Sequence, residues 1–464
     1  MLYQRVKMSL KLDAISSVRF YIDRICSDQS SSGMKVLLLD AMTTKVVSMV
    51  YSQTQVLEKE IYLVETLESL HSKPHANMMH LKAAVFVQPT EINLTHLMNE
   101  VRDPKFCEYH IYFSNIVPPD VLLRLARADE NEVIKQVQEY YADFMAINED
   151  LFHLGVENSI SLSSAAQTVQ SNLILERNTN GIISVMLAFK RRPSQIRYQG
   201  SSPVARRLAM QVTAIVEKDD IFDMRRHDGP LLLILDRRDD PVTPLLTQWT
   251  YQAMVHHLLG INYNRVSLKG VPGIQPDLEE VVLSNTSDPF FAKNINANFG
   301  DLGLAVKRML DDYQHKAKKN ENINSIEDMQ AFLDRYPAFR SQAINVSKHV
   351  AIMSELARLT DKNQLLTISQ LEQEIVTSSD HSAHRQELLD KLNDSRISKE
   401  DKLRLALLYV IKYESYDEAS HIRRSLIDGG VSAQEASLVE LILNYAGETR
   451  RAQGLFSAGG IIAK

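Results

Sequence analysis

Short apolar runs separated by stretches of helical spacing dominate the first third of the chain. MKVLLLD (34–40), KVVSMVY (45–51), IYLVE (61–65), AAVFV (83–87) and HIYFS (110–114) each have the length and β-branched content of a strand. INLTHLMNEVR (92–102), between two of them, carries a 3.6-residue apolar rhythm instead. Strands alternating with helices predict an open α/β domain with a parallel sheet. Right-handed crossovers then place the acidic strand ends Asp40 and Glu65 near one edge of that sheet. Ahead of the first strand, residues 1–30 read as a helix with Val18, Phe20, Tyr21, Ile22 and Ile25 on its apolar side.

After Pro118-Pro119-Asp120 the pattern turns helical. VLLRLARADENEVIKQVQEYYADFMAI predicts helix, with Leu122, Leu125, Val133, Val137 and Tyr141 as packed positions. A long helix follows around 165–190, and another in which Pro203 occupies the first turn. LLLILD (231–236) reads as a strand, and TQWTYQAMVHHLLGI as a helix ended by Gly260. Beyond residue 261 the chain is mainly helical. Phe299, Leu302, Val306, Met309 and Tyr313 fall at steps of three and four, forming one stripe on one helix. A polar run and a second helix, opened by Ser325 and ended at Tyr336-Pro337, complete a predicted hairpin over about 291–335. Further helices are expected at 346–360, 383–393, 399–415 and 433–446.

With 464 residues, 44% apolar and 24% charged, the chain has the composition of two or three ordinary globular domains. The net charge of -6 argues against a general nucleic-acid binder. Two cysteines, Cys26 and Cys107, form no disulfide framework, which fits a reducing compartment. No apolar run is long enough to cross a bilayer, and the N-terminus lacks the features of a signal peptide. The expectation is a soluble intracellular protein whose membrane association is indirect.

The chemistry is sparse. No glycine-rich dinucleotide or phosphate loop, zinc-protease motif or nucleophile elbow is present. His256 and His257 are adjacent on a helix, so they diverge by about 100° and chelate poorly. The one cluster that invites a metal or phosphoryl-transfer reading is Asp236, Asp239 and Asp240, at the end of an apolar strand. No nucleophile, base or phosphate-binding loop accompanies it. A structural turn explains more: Pro241 and Pro244 restrict the loop, the carboxylates accept backbone N–H groups, Arg237 and Arg238 pair with them, and Thr247 caps the next helix. No catalytic residue, cofactor or metal is expected.

Several stretches together, namely MKVLLLDAMTTKVVSMVYSQTQVLEKEIYLVE, YHIYFSNIV, IRYQGSSPVARRLA, LLLILDRRDDPVTPLLTQWTYQAMVHHLLGI and VSKHVAIMSELARL, resemble the Sec-one/Munc-eighteen (SM) family, best of all its endosomal and trans-Golgi branch. The resemblance implies an arch-shaped multidomain α/β protein that is not an enzyme and that regulates SNARE-mediated vesicle docking and fusion. It implies domain 1 over 1–138 and an α/β domain 2 over 139–244 with 451–464. A mostly helical domain 3 covers 245–450 and includes the hairpin. Relatives continue beyond the position of Lys464 and complete domain 2 there, so domain 2 is expected to be incomplete in this chain.

The resemblance also implies partners: a syntaxin-like SNARE, engaged through its N-terminal peptide and its helical core, the assembled SNARE bundle, and a small-GTPase effector or tether. Lys45 and Glu65 match positions that touch syntaxin in the cleft. Leu122 or Leu123, with Ile134 and Glu139, match the N-peptide pocket, expected between helices that follow the Pro-Pro turn. The hairpin matches the moving part that receives the vesicle-side SNARE. The implied location is cytoplasmic, peripheral on endosome and trans-Golgi membranes. A membrane adaptor binding a tether or GTPase effector without acting on SNAREs is the alternative.

Overall fold

The computed structural model describes residues 12–27, 33–72, 78–157, 168–218, 220–222, 229–320 and 326–451, without the side chains of 71–72, 318–320 and 326–338. They form two units, Met1–Leu235 and Asp236–Lys464.

The first unit is built on a five-stranded sheet in the order β2-β1-β3-β4-β5, all neighbours parallel. Its strands are β1 (Lys35–Leu39), β2 (Ile61–Thr66), β3 (Met78–Val87), β4 (Phe106–Phe113) and β5 (Ile134–Glu139). Every residue of β1 is buried, because helices cover both faces of the sheet. On one face α1 (Ala14–Ser27) and α2 (Ala41–Val50) pack against Leu37, Leu39 and Phe86. On the other, α3 (Glu91–Arg102) and α4 (Pro119–Ala128) pack against Val36, Leu38, Val85 and Ile111.

Three expectations fail within this unit. KVVSMVY is helix α2, not a strand, because Asp40 and Thr43 form a reciprocal capping box that starts a helix directly after β1. The predicted helix over 121–147 breaks at Ala128. Glu132 takes a left-handed backbone (φ 53°), and Asp129 accepts hydrogen bonds from the Val133 and Ile134 N–H groups, which opens β5. The strands β6 (Met145–Asn148) and β7 (Leu151–His153) come next and pair antiparallel. Phe20 of α1 is 42% exposed, with the Arg24 and Lys190 cations over its ring.

The rest of the unit comprises α5 (Val169–Ala188), β8 (Gln195–Tyr198), α6 (Pro203–Lys218) and β9 (Leu231–Ile234). The strands β8 and β9 make a separate two-stranded parallel sheet. Ile183, Leu187, Val212 and Phe222 gather in a small core beside it, while Tyr140, Phe144, Ala146 and Val185 join the core of the five-stranded sheet.

The second unit is mainly helical. It contains α7 (Tyr251–Leu258), the antiparallel strands β10 (Arg265–Ser267) and β11 (Glu280–Val282), and the short α8 (Pro289–Asn294). These are followed by α9 (Phe299–Asn320), α10 (Ile326–Lys362), α11 (Leu365–Thr377), α12 (His381–Asn393) and α13 (Lys399–Lys412). The last are α14 (Ala419–Asp428), α15 (Ala433–Ala436) and α16 (Leu438–Ala446). Gly260 ends α7 with φ +79°, as its sequence position implied. Pro337 does not end a helix: α10 runs 37 residues straight through it. Packing against α9, with Tyr313 stacked on Phe339 at 5.2 Å, offsets the hydrogen bond that proline removes. The expected Ser325 cap and the tip of the hairpin, 321–325, lie outside the described residues.

Candidate functional site

The carboxyl end of β1 is held by one side chain. Asp40 is buried, and its Oδ1 accepts from the Thr43 N–H (2.7 Å) and hydroxyl (3.0 Å). Its Oδ2 accepts from the Gln88 N–H and the Asn93 Nδ2, both at 2.6 Å. The strand order is the one in which open α/β sheets take ligands beside β1 and β3. Here that crevice is occupied by Asp40 and its donors, so the carboxylate serves the fold.

Lys45 lies half-buried on the second turn of α2. Glu65 pairs with Leu38 in the ladder, and its carboxylate accepts from the Ser69 hydroxyl at 2.9 Å. The two thus occupy adjacent elements beyond and at the carboxyl ends of β1 and β2.

The residues matched to a peptide pocket lie on one helix and one edge strand, not between helices. Leu122 and Leu123 of α4 are 41% and 52% exposed, while Val121 and Leu125 of the same helix are buried against the sheet. Ile134, at the start of β5, packs on the cluster that holds Leu125 and Ala128. Through the ladder, Ile134, Val137 and Glu139 pair with Tyr109, Ile111 and Phe113, which belong to that same cluster. Val137, expected in a helix core, is 37% exposed on this edge strand. Glu139 accepts from the Val117 N–H and the Tyr141 hydroxyl, both at 2.7 Å, which fixes its carboxylate at the end of β5.

The acidic motif at 236–241 is a turn. Asp236 caps a 3-10 turn (Arg237–Asp239) by accepting from the Arg238 N–H at 3.0 Å, and pairs with the Arg238 guanidinium at 2.8 Å. Asp240 accepts from the Thr243 N–H (3.1 Å) and hydroxyl (3.0 Å) and pairs with Arg237 at 3.0 Å. Asp239 is half-buried inside the turn, and Pro241 is buried after it. Among the described residues no group of three or more His, Cys, Asp or Glu is placed to hold a metal ion.

Thr247 does not cap α7; Thr250 takes that position without a side-chain bond. Instead the Thr247 N–H and hydroxyl donate to Glu372 of α11 at 2.8 and 3.0 Å. Arg404 of α13 donates to the Leu245 carbonyl (2.9 Å), the Thr247 hydroxyl (3.1 Å) and Asp401 (2.7 Å). Trp249 donates to the Ser369 hydroxyl at 3.0 Å. The motif therefore ties its own loop to α11 and α13. Burial pushes the Glu372 carboxyl up. Burial also opposes ionisation of Asp401, but His257, Ser398 and Arg404 together outweigh it and hold that carboxyl low.

A second buried network leaves no trace in the sequence pattern. Asp288, ahead of α8, accepts from Lys348, from His349 Nε2 (2.9 Å) and from the Phe291 N–H (2.9 Å), while His349 Nδ1 meets the Tyr251 hydroxyl at 2.7 Å. His349 lies 61 residues from Asp288 and 98 from Tyr251, and no spacing rule joins them. Only the adjacent Lys348-His349 could have drawn notice.

No helix among the described residues is long and apolar enough to cross a membrane. The Sec1 family model matches residues 35–452. The vacuolar protein sorting-associated protein 45 of Homo sapiens is 42% identical over 457 residues, covering 97% of this chain and 78% of the human protein. That of Dictyostelium discoideum is 40% identical over 454 residues, covering 98% and 78%. A solved structure described as the SM protein Vps45 in complex with the Qa SNARE Tlg2 (1-310) superimposes with a TM-score of 0.86 at 40% identity, covering 97% of this chain and 83% of the other. A family match across most of the sequence, relatives of this similarity and a shared multidomain α/β SM fold lead to one assignment: the chain belongs to the Sec1 family.

Proposed function

We propose that this protein regulates SNARE-mediated vesicle docking and fusion in endosomal, trans-Golgi and vacuolar transport, by binding a syntaxin-like SNARE and the assembled SNARE bundle. In this reading it acts as a binding scaffold and not as an enzyme, and it is peripheral on endosome and Golgi membranes through its partners. The observation that carries the reading is the likeness, at 40% identity and a TM-score of 0.86, to an SM protein solved with its Qa SNARE. The acidic motif is consistent with it, since Asp236 and Asp240 are engaged in a turn. A finer division into domains 1–138, 139–244 and 245–450 goes with the same reading.

Two contacts belong to it. The exposed Leu123, or its neighbour Leu122, with Ile134 and the fixed carboxylate of Glu139, suits a short peptide carrying one bulky apolar anchor and a basic residue. Lys45 and Glu65 set register against the helical core of the SNARE, and the α9–α10 hairpin receives the vesicle-side SNARE. The test is calorimetry with the Qa SNARE of the same organism, as isolated N-terminal peptide and as whole cytoplasmic part. Ile134→Asp is expected to weaken peptide binding by about 1.5–3 kcal/mol, the worth of one buried aliphatic anchor. Reversing both charges, K45E with E65K, is expected to weaken the whole cytoplasmic part by about tenfold and leave the peptide unaffected. Normal peptide binding by a folded I134D protein rejects the pocket, and no binding of either ligand by the unaltered protein rejects the function.

A further inference from the structure

The first unit contains a cavity of about 740 Å³ that shares no residue with the peptide groove. It opens beyond the carboxyl ends of β3 and β4, between the loops after them and one side of α5. Its size is that of a ligand or side-chain pocket. Its walls are aliphatic, formed by Ile116, Val121, Leu173, Ile183 and Ile215, and Leu173 is 54% exposed on α5. Leu173 thus stands at the solvent edge of these walls, beside buried Val121 and Ile183.

The polar groups divide into spent and unspent. Asp143 is buried and accepts from Gln88 Nε2 (2.7 Å), Asn115 Nδ2 (3.1 Å) and Arg177 Nη1 (2.8 Å), and Arg177 Nη2 donates to the Asp143 carbonyl at 2.9 Å. Both residues of that pair belong to the lining of the cavity. Glu91 is held in a two-point fork by Arg124, at 2.8 Å for each bond. Asp120, in the first turn of α4, and Glu176, on α5, are exposed; neither forms a salt bridge among the described residues, although Asp120 stands within the field of Arg124 one turn on. Four carboxylates line the cavity against the Arg177 guanidinium, and with Arg124 beside Glu91 and Asp120 counted as well, an acidic excess remains, with exposed Asp120 and Glu176 in the rim. An aliphatic wall with an acidic mouth complements a cation that accompanies an apolar stem.

We propose that this cavity is a second peptide-docking pocket, which takes an aliphatic side chain of a partner protein into its walls and a neighbouring lysine or arginine against Asp120 and Glu176. It differs in place from the groove of Leu123, Ile134 and Glu139, with which it shares no residue, and it stands whether or not that groove binds a SNARE peptide. The arrangement would give the first unit two anchor points on one extended partner, so that each strengthens the other's occupancy.

The test uses labelled dodecapeptides with leucines at helical spacing flanked by lysine and arginine, and the same peptides with glutamate in place of the basic residues. Binding to the full chain is followed by fluorescence anisotropy, with hydrogen exchange to locate the contact. The basic peptides are expected to bind, to weaken as salt is raised, and to protect the 115–121 loop and the turns of α5 over 173–180. D120K with E176K should weaken them by about tenfold. L173D should do the same by removing the apolar wall, and both effects are read at 115–121 and 173–180, where I134D, in the other groove, should leave the protection by the peptides unchanged. Both rim residues are exposed, and unchanged melting would verify that the variants fold. Equal binding of basic and acidic peptides, equal binding by the D120K/E176K protein, or no binding of basic peptides at about 1 mM overturns the proposal.

Discussion

Two segments of this chain read almost alike and behave differently. MKVLLLD and LLLILD are both apolar runs that end in aspartate, and each aspartate caps the helical turn after it. In the first, all five strand residues are buried, since β1 has a parallel neighbour on each side and helices on both faces. In the second, β9 has β8 as its only ladder partner among the described residues, and Leu231, Leu233 and Leu235 are 51%, 53% and 68% exposed. Asp40 is buried with four donors on its carboxylate, whereas Asp236 holds one short turn. An apolar run thus specifies strand, but the number of neighbours it recruits decides its energetic weight.

Removing the two caps separates the segments most widely. Asp40→Ala leaves the Thr43 and Gln88 N–H groups without their acceptor and the buried Asn93 amide with the Gln88 carbonyl alone, and should cost about 3–5 kcal/mol. Asp236→Ala loses a turn cap and an ion pair and should cost only about 1 kcal/mol. Urea denaturation followed by hydrogen exchange in each unit would measure both, and equal costs would show that burial does not set the difference.

Truncating one leucine from each strand gives the next largest contrast. Leu38→Ala opens a cavity in a fully buried site, expected to cost about 3 kcal/mol. Leu233→Ala, half in solvent, should stay within about 0.5 kcal/mol in the same melts.

A smaller effect extends the contrast to the second unit, where a buried histidine ties stability to pH. Burial pushes the His349 ring below the usual histidine value of about 6.5, and the Asp288 hydrogen bond only partly offsets this. Lys348, facing the same carboxylate, also disfavours the charged ring. The neutral ring is thus favoured on folding, and its contribution to stability is present above about pH 6.5 and lost as pH falls through the folded value. Trp249, the single tryptophan, lies in this unit and reports its unfolding. Its melting temperature should drop as pH is lowered from neutral to mildly acidic, and His349→Gln should flatten that slope. An unchanged slope would move the pH sensitivity elsewhere.

Much of this architecture was readable from residues alone. The period of the apolar positions located β1, β2, β3, β4 and α3, and the alternation of strand and helix determined the parallel α/β class. The stripe from Phe299 to Tyr313 marked α9, and Gly260 marked the end of α7. The SM-like motifs also carried the family, which the matches over most of the chain support. Leu123, Ile134 and Glu139 came through that resemblance, which set them between helices, whereas one helix and one edge strand carry them.

Tertiary structure decided the rest, for reasons that are local in space and not in sequence. Residues 45–50 have strand composition but come after a capping box, and the next ladder position beside β1 belongs to Ile61–Thr66. Residues 133–139 fit a helix by pattern, but the edge of β4 offered unpaired backbone groups, and pairing with it made them β5. Pro337 stays inside a helix because α9 packs alongside it. Thr247 meets Glu372 and Arg404 across 125 and 157 residues, and His349 reaches Asp288 and Tyr251 across 61 and 98. A one-dimensional pattern records which side of an element faces the core; it does not record which distant side chain is waiting there, and buried groups such as Asp288 and Glu372 are satisfied by such partners.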